Sequence, residues 1–246
     1  MTQEAFVDIP LSEVTLEARL APGPGPRAPG SPGSLWIIGH PHPEYGGTMD
    51  NAVVLAARDA ILAAGGGAVL RWNSRGVGRS SGDFGEGEGE ARDLAQLLGR
   101  LARGRPSPGA AGTPALPGDL AEPFSFIGLA GYSFGAYVVL RALVHALASG
   151  ASSPSAFPGA VMLFSPPLDF MSFEGLPPPG LPCLITLGDR DEFCRRSSLE
   201  AWLGSVTQGS RPRVEILRGV DHFYFGAERA LGEAVRGFLS GLSPSP

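Results

Sequence analysis

A serine flanked by glycines is the residue of this chain best suited to covalent chemistry. Ser133 is the central residue of the run Gly131–Gly135, which follows an apolar stretch, Phe124–Ala130, and precedes apolar residues at helical spacing. The glycines two positions before and after the serine remove Cβ atoms from a strand-to-helix turn that is too sharp for larger side chains. Such a turn, a nucleophile elbow, lifts the hydroxyl above the edge of a sheet. The pattern predicts Ser133 as a nucleophile.

A serine nucleophile needs an imidazole that accepts its proton, and the chain has four histidines. His145 lies twelve positions after Ser133 on the same predicted helix. At about 1.5 Å per residue, it is about 18 Å from the serine and cannot be the base. His40, His42 and His222 follow predicted strands and stay as candidates.

The elements that must position these residues alternate between short apolar runs and helical patterns. Alternation of this kind predicts a mostly parallel sheet with helices on both faces. Its predicted strands are Leu35–Gly39, Ala68–Trp72, Phe124–Ala130, Ala160–Phe164, Cys183–Leu187 and Val214–Leu217. Apolar residues at i, i+3 and i+4 spacing predict helices around Val53–Ile61, Leu94–Leu101, Leu199–Val206 and Leu231–Leu242. Two earlier runs, Ala5–Ile9 and Val14–Leu20, predict an antiparallel hairpin at the sheet edge.

Length and charge exclude several classes of protein. The chain has 246 residues with 43% hydrophobic content, which predicts one domain over residues 1–246. Its net charge is -5 and its arginines are scattered, so we expect no nucleic-acid partner. The N-terminus has no leader pattern, and Arg141 and His145 interrupt the longest apolar helical stretch. These features predict a cytoplasmic protein that does not bind membranes, and no feature demands an oligomer.

Glycine and proline concentrate in two segments, Ala21–Gly33 and Gly104–Pro123, which are predicted to be surface loops. The two cysteines, Cys183 and Cys194, show no metal-ligand spacing and are predicted to be buried free thiols. No other pattern of metal ligands occurs, and the acidic residues of Gly85–Glu90 are predicted to precede a helix N-terminus. We expect neither a metal nor a cofactor.

The order of these elements, with the serine elbow after the fifth strand, resembles the α/β-hydrolase fold over nearly the whole chain. Four blocks narrow the resemblance: His40–Asn51, which begins His-Pro-His-Pro, then Arg71–Ser80, Gly131–Gly135 and Asp221–Tyr224. They are similar to the small predicted hydrolases marked by a His-Pro-His-Pro segment, which are esterase-like or dienelactone-hydrolase-like. Lids of this fold often follow the sixth strand, but only about seventeen residues, Ser165 to Leu181, lie there. We therefore expect no cap domain.

The resemblance implies the partners of the nucleophile, because this fold uses the chain order serine, acid, histidine. His222 is then the base. The acid is expected after Cys183–Leu187, and the Gly-Asp-x-Asp form implies Asp191. Asp189 is expected to organise the turn, and Asp221 to cap a helix or face solvent. Asp169, after the preceding strand, is the alternative acid.

The resemblance also implies an oxyanion hole. One donor is the main-chain N–H of Phe134, directly after the nucleophile and at the positive end of a helix. The other is expected in the loop after the third strand, where the flanking prolines lack an N–H and leave that of His42. Tyr45, Tyr132 and Phe223 are candidates for binding substrate. Met171, Phe173, Leu176 and Tyr224 are expected to join Phe223 in an apolar rim.

The glycine-arginine segment Arg75–Ser80 does not have the spacing of a phosphate-binding loop or of a dinucleotide fingerprint. We expect a tight loop in which Arg75 donates hydrogen bonds to nearby carbonyls.

The sequence thus predicts a capless serine hydrolase that cleaves small to medium acyl esters through an acyl-enzyme on Ser133. The alternatives are peptidase, thioesterase or dienelactone-hydrolase chemistry with the same residues. A binding protein that keeps the fold without turnover is a further alternative.

Overall fold

Eight strands form one sheet in the computed structural model, which describes residues 4–24, 33–103, 116–121, 124–148, 158–204 and 211–242. The strands are Ala5–Pro10 (β1), Thr15–Ala21 (β2), Gly33–Gly39 (β3), Ala68–Trp72 (β4), Phe124–Tyr132 (β5), Ala160–Phe164 (β6), Cys183–Gly188 (β7) and Arg213–Leu217 (β8). Each predicted strand is present, with bounds that differ by no more than two residues. One of the two-residue differences matters most: β5 continues to Tyr132 and ends directly before Ser133.

The strand order is β1-β2-β4-β3-β5-β6-β7-β8. β1 pairs antiparallel with β2, and β2 pairs antiparallel with β4, whereas every later pairing is parallel. The predicted edge hairpin and mostly parallel sheet are therefore confirmed. Because the carboxyl ends of β3 and β5 to β8 point the same way, the loops after them meet at one edge of the sheet.

Five helices cover the two faces of the sheet: Ala52–Ala63 (α1), Glu88–Arg103 (α2), Phe134–Ala148 (α3), Arg196–Leu203 (α4) and Glu228–Leu239 (α5). α1 and α5 pack on one face, where Trp36 and Ile38 point. α2, α3 and α4 pack on the other face, where the alternate residues Leu35 and Ile37 point. Burial on both faces explains why these strands read as unbroken apolar runs rather than alternating patterns.

The segment between β6 and β7, residues 165–182, contains turns and no helix. The expected absence of a lid after β6 is therefore confirmed. Much of the two glycine- and proline-rich segments, residues 25–32, 104–115 and 122–123, lies outside the described residues. Of their described parts, Ala21 ends β2, Gly33 begins β3, and Gly118–Ala121 forms a turn of 3-10 helix. No described helix has the length and hydropathy needed to cross a membrane.

Candidate active site

The backbone is strained at Ser133, between β5 and α3. Its φ is 53°, in the left-handed region that residues other than glycine rarely adopt. A Cβ on Gly131 would collide with the carbonyl oxygen of Gly135, and one on Gly135 would collide with that of Gly39. Two glycines are needed because strand and helix meet in van der Waals contact here. The turn is fixed further by the N–H of Ser133, which donates to the Phe164 carbonyl at 2.9 Å.

Three side chains from separate loops meet at this turn. The hydroxyl of Ser133 lies 2.8 Å from Nε2 of His222. Nδ1 of His222 lies 2.9 Å from Oδ1 and 3.0 Å from Oδ2 of Asp191. A carboxylate can only accept, so Nδ1 carries the proton and Nε2 is left to accept from the serine. All three residues are buried, with exposures of 9% for Ser133 and 5% for each partner.

The Asp191 carboxylate is held in place by its own turn. Its Oδ1 accepts from the main-chain N–H groups of Phe193 at 2.9 Å and Cys194 at 3.0 Å. These bonds fix the direction in which the carboxylate faces His222. The His222 loop is held from the other side, because the Tyr132 hydroxyl donates to the His222 carbonyl at 2.9 Å.

The other aspartates considered from the sequence bond elsewhere. Asp169 pairs with Arg195 at 2.8 Å, and this guanidinium holds the pKa of the Asp169 carboxyl well below its usual range. Asp189 accepts from the N–H of Gly219 at 2.6 Å, so it joins two loops rather than organising its own turn as expected. Asp221 accepts from the N–H of Phe223 at 2.9 Å in a local turn. Of these aspartates, only Asp191 has a described hydrogen bond with the His222 ring.

The two expected oxyanion donors lie at the same edge of the sheet. No acceptor is assigned to the N–H of His42 or of Phe134 among the described residues. The His42 ring is occupied: its Nδ1 accepts from the N–H of Glu44 at 3.3 Å, and it packs 4.8 Å from the Phe134 ring. Partial burial lowers the pKa of His42, which favours the neutral ring. The loop that carries His42 closes on Gly47, whose N–H donates to the His42 carbonyl at 3.0 Å.

His40 is a buried structural histidine. It donates from Nδ1 to the Pro41 carbonyl at 2.6 Å and accepts at Nε2 from the N–H of Ser74 at 3.0 Å. Burial lowers its pKa to about 4. These two bonds connect the His42 loop with the loop after β4. The excluded histidine, His145, lies on α3 and contacts Glu88 at 3.0 Å.

A cavity of about 360 Å³ opens above Ser133. It is lined by Pro41, His42, Tyr45, Gly46, Gly47, Asn51, Tyr132, Ser133, Phe134, Pro167, Phe170, Met171, Phe193, His222 and Phe223. The structure thus brings Tyr45, Tyr132 and Phe223 to the site, as expected from the sequence. It adds Phe170 and Phe193, which sequence reasoning missed. None of these lining residues is an acid, a lysine or an arginine, so the cavity has no formal charge while its histidines are neutral.

Three residues of the expected apolar rim are elsewhere. Phe173 packs against Tyr137 and Trp202, with ring centroids 5.5 and 5.9 Å apart, and Leu176 is only 3% exposed. Tyr224 is fully buried, with 0% exposure. The rim prediction was therefore wrong for these three residues and right for Met171 and Phe223 as lining residues.

Tyr224 instead anchors the loop of His222 in the core. Its hydroxyl lies 2.8 Å from the Thr186 hydroxyl and accepts from the Ser165 hydroxyl at 3.0 Å. Its backbone has φ 58°, a costly conformation for a bulky residue. The Tyr132 ring meets the Tyr224 ring edge-on, with centroids 5.9 Å apart. A buried hydroxyl network therefore ties the ends of β6 and β7 to the His222 loop.

Two further expectations have clear outcomes. Arg75 pairs with the Asp93 carboxylate through two bonds of 2.8 and 2.7 Å, and this pair replaces the expected bonds to carbonyls. Cys183 and Cys194 are free and buried as predicted, and burial raises the pKa of each thiol to about 12. The described residues contain no group of three His, Cys, Asp or Glu side chains that could hold a metal ion.

The fold and the geometry of the site together indicate a class of protein. The strand order, the serine turn after β5 and the short connection after β6 are those of an α/β-hydrolase without a lid. No model of a protein family matches the chain.

Particular proteins are similar to the chain in structure or in sequence. XC6422 from Xanthomonas campestris, an α/β serine hydrolase without a lid, is similar with a TM-score of 0.76 and 25% identity, covering 99% of this chain and 98% of that one. The Pyrococcus furiosus esterase PF2001 has a TM-score of 0.65 over 97% of this chain and 90% of its own, and its 16% identity supports the fold alone. The uncharacterized protein RP471 of Rickettsia prowazekii (strain Madrid E) is 28% identical over 233 residues, 92% of this chain and 85% of its own.

Proposed function

We propose that the protein is a serine hydrolase that cleaves uncharged carboxylic esters with small to medium acyl groups through an acyl-enzyme on Ser133. The observation that carries the proposal is the unbroken hydrogen-bond chain from Asp191 through His222 to Ser133, with spacings of 2.9 and 2.8 Å. It opens on a cavity without formal charge beside two main-chain N–H groups that have no assigned acceptor among the described residues.

Acylation of the serine is the first step. His222 Nε2 removes the proton from Ser133 as Oγ adds to the ester carbonyl carbon. The carbonyl oxygen becomes an oxyanion, and the N–H groups of His42 and Phe134 donate to it. As the intermediate collapses, the bond from carbon to the alcohol oxygen breaks and Nε2 gives its proton to that oxygen. The alcohol leaves, and the acyl group stays on Ser133.

Deacylation repeats these proton transfers with water. His222 Nε2 takes a proton from water as the water oxygen adds to the acyl carbon, and then returns it to Ser133 Oγ as the acid departs. Asp191 keeps the imidazole in the tautomer that can accept at Nε2 and stabilises the imidazolium that forms twice in each cycle. Its two main-chain donors preserve this orientation throughout.

The electrostatics of the cavity favour this substrate class over one alternative. A substrate that bears its own carboxylate, as in dienelactone-hydrolase-like chemistry, would leave that charge without a cationic partner among the described lining residues. Burial of an unpaired charge is costly. We infer that the chain is one of the small His-Pro-His-Pro hydrolases with ester specificity. Peptidase and thioesterase activity use the same residues and are outcomes of the assay.

The test is the time course of 4-nitrophenol release from the acetate, butyrate and octanoate esters. We expect a burst followed by steady turnover that slows as the acyl chain lengthens, since about 360 Å³ must hold both halves of the ester. Ser133→Ala should abolish both phases. Ser172→Ala, a substitution outside the cavity, serves as the matched control and should change neither.

A different result would favour the non-catalytic alternative. If the wild-type protein gives no turnover and a fluorophosphonate does not label Ser133, the proposed hydrolase function is wrong and a binding role takes its place. Labelling without turnover of these esters would exclude them as substrates and direct the assay to thioesters and peptides.

A further inference from the structure

Two aromatic rings form a corner against the imidazole of His222. The Phe193 ring lies 4.6 Å from the His222 ring, and the Phe223 ring lies 5.7 Å from it in an edge-on contact. The two phenyl rings are 6.3 Å apart with an angle of 83° between their planes. Both line the cavity above Ser133. The corner is therefore open to whatever occupies the site beside His222.

The chemistry of the proposed reaction decides which half of an ester lies in this corner. The alcohol oxygen must come within hydrogen-bond reach of His222 Nε2, because that nitrogen protonates it. The carbonyl oxygen must face the N–H groups of His42 and Phe134 instead. The group attached to the alcohol oxygen therefore lies on the His222 side, against Phe193 and Phe223.

Aromatic side chains at the mouth of the cavity leave much of their apolar surface exposed to solvent. Phe223 is 49% exposed and Phe170, whose ring meets Phe193 edge-on at 5.6 Å, is also 49% exposed. Phe225, at 82%, stacks on Phe223 with centroids 5.8 Å apart but does not line the cavity, so it is not counted in this surface. Apolar surface gathered around a cavity mouth is typical of a binding site rather than of a random surface position.

We propose that the corner of Phe193 and Phe223 binds an uncharged aromatic ring on the alcohol side of the ester. This assignment rests on the proposed hydrolase function and adds the class of alcohol to it. Two perpendicular rings let a third ring stack on one and meet the other edge-on, which are the geometries that aromatic pairs prefer. A saturated ring of the same size fills the same volume and lacks both interactions. The enzyme should therefore select the aromatic ring over the saturated one.

The experiment compares benzyl acetate with cyclohexylmethyl acetate in the wild-type protein. Both esters leave the same acetyl group on Ser133, so any difference in kcat/KM arises in binding or acylation on the alcohol side. Each value is divided by the rate at which hydroxide hydrolyses that ester, which removes the difference in intrinsic reactivity. We expect a corrected preference of about 3- to 10-fold for the benzyl ester, the size of one or two aromatic contacts.

Variants assign the preference to the corner. Phe223→Leu should reduce the ratio to within about twofold of unity, because an aliphatic side chain keeps the apolar contact and removes the ring contact. Phe225→Leu is the matched control, since this ring lies outside the lining of the cavity, and it should keep the wild-type ratio. Circular dichroism checks that both variants are folded.

The outcomes separate the two proposals. Hydrolysis of both acetates by the wild-type protein at an equal corrected rate, or with a preference for the saturated ring, would overturn the aromatic site and leave the ester hydrolase intact. Loss of the preference in Phe225→Leu but not in Phe223→Leu would also overturn it. If neither these acetates nor ethyl acetate is hydrolysed and Ser133 is not labelled, the hydrolase proposal fails and the aromatic site fails with it.

Discussion

At the scale of single residues, the choice between two aspartates rests on what each carboxylate contacts. Asp191 faces Nδ1 of His222, whereas Asp169 is paired with Arg195 and accepts from the Ser198 hydroxyl at 2.7 Å. An amide in place of the Asp191 carboxylate can donate to Nδ1. The imidazole would then carry its proton on Nε2 and could not accept from Ser133.

Asp191→Asn should therefore lower kcat for 4-nitrophenyl butyrate by about 10³- to 10⁴-fold while the fold is retained. Asp169→Asn is the matched control and should change kcat less than about twofold, because its carboxylate bonds to Arg195 and Ser198 rather than to His222. Steady-state kinetics of the two variants decide the matter. Full turnover in Asp191→Asn together with a large loss in Asp169→Asn would transfer the role of the acid to Asp169.

The buried phenol of Tyr224 gives a second prediction about a single residue. Tyr224→Phe removes the hydroxyl that contacts Thr186 and Ser165 but keeps the ring. The His222 loop should become less well positioned, so kcat should fall about tenfold while KM changes little, since small displacements of catalytic groups are expensive. The lost hydrogen bonds should also lower the free energy of unfolding by about 1 to 3 kcal/mol.

Tyr137→Phe is the control for that variant. It also removes a largely buried phenol, whose oxygen accepts from Arg141 at 2.8 Å on α3. It should lose stability without losing kcat. If both variants lose kcat in proportion to their loss of stability, Tyr224 has only a structural role.

At the scale of elements, the bond between the loops after β3 and β4 makes the fold sensitive to acid. His40 connects these loops as a neutral ring with a pKa of about 4, compared with 6.5 for an unperturbed histidine, and burial is the main cause. Its titratable neighbour is His42, which lowers the pKa of His40 further when protonated. Between these two pH values the unfolded chain binds a proton that the folded chain does not. The free energy of unfolding therefore decreases as the pH falls.

The contribution of His40 is fully present above pH 6.5 and decreases towards pH 4. Through His40, lowering the pH from 7 to 5 should decrease the free energy of unfolding by about 2 kcal/mol. Urea unfolding at both pH values measures this, and His40→Gln should show a smaller change in midpoint than the wild type. A change in His40→Gln equal to that of the wild type would contradict the assignment.

The sequence predicted elements better than the contacts between them. β6 matches its predicted bounds, Ala160–Phe164, because a strand covered on both faces must be apolar throughout. The serine turn was predictable because the contact that requires a glycine at position 131 is local: a Cβ there would meet the carbonyl oxygen of Gly135. The burial of Tyr224 was not predictable, because its neighbours Phe223 and Phe225 are also aromatic and polarity does not distinguish the three. Only the turn with φ 58° directs the middle ring inwards and the other two outwards.

Contacts at the site between segments distant in the sequence could not be predicted either. Phe193 and Phe170 read as ordinary loop residues, and their position at the cavity depends on where the loops after β6 and β7 cross. Asp93 becomes the partner of Arg75 because α2 returns past the loop that carries the arginine. Pairings of this kind depend on the assembled fold and have no signal in local spacing.

At the scale of the whole molecule, one sheet separates two apolar cores, and this arrangement tests the prediction of a single domain. Trp36 lies in the core under α1 and α5, and Trp72 lies in the core under α2 and α3. Loss of either core would leave one face of the shared strands bare, so we expect both to unfold together. The third tryptophan, Trp202, is on α4.

Two double variants isolate a reporter in each core. Trp72→Phe with Trp202→Phe leaves Trp36, and Trp36→Phe with Trp202→Phe leaves Trp72. In urea, the fluorescence midpoint of each variant should coincide with its own midpoint from far-ultraviolet circular dichroism, a comparison that is unaffected by the stability that the substitutions remove. If Trp36 reports unfolding before the circular dichroism changes while Trp72 does not, the two faces unfold as separate units. The cores would then not form the single cooperative domain that the sequence predicts.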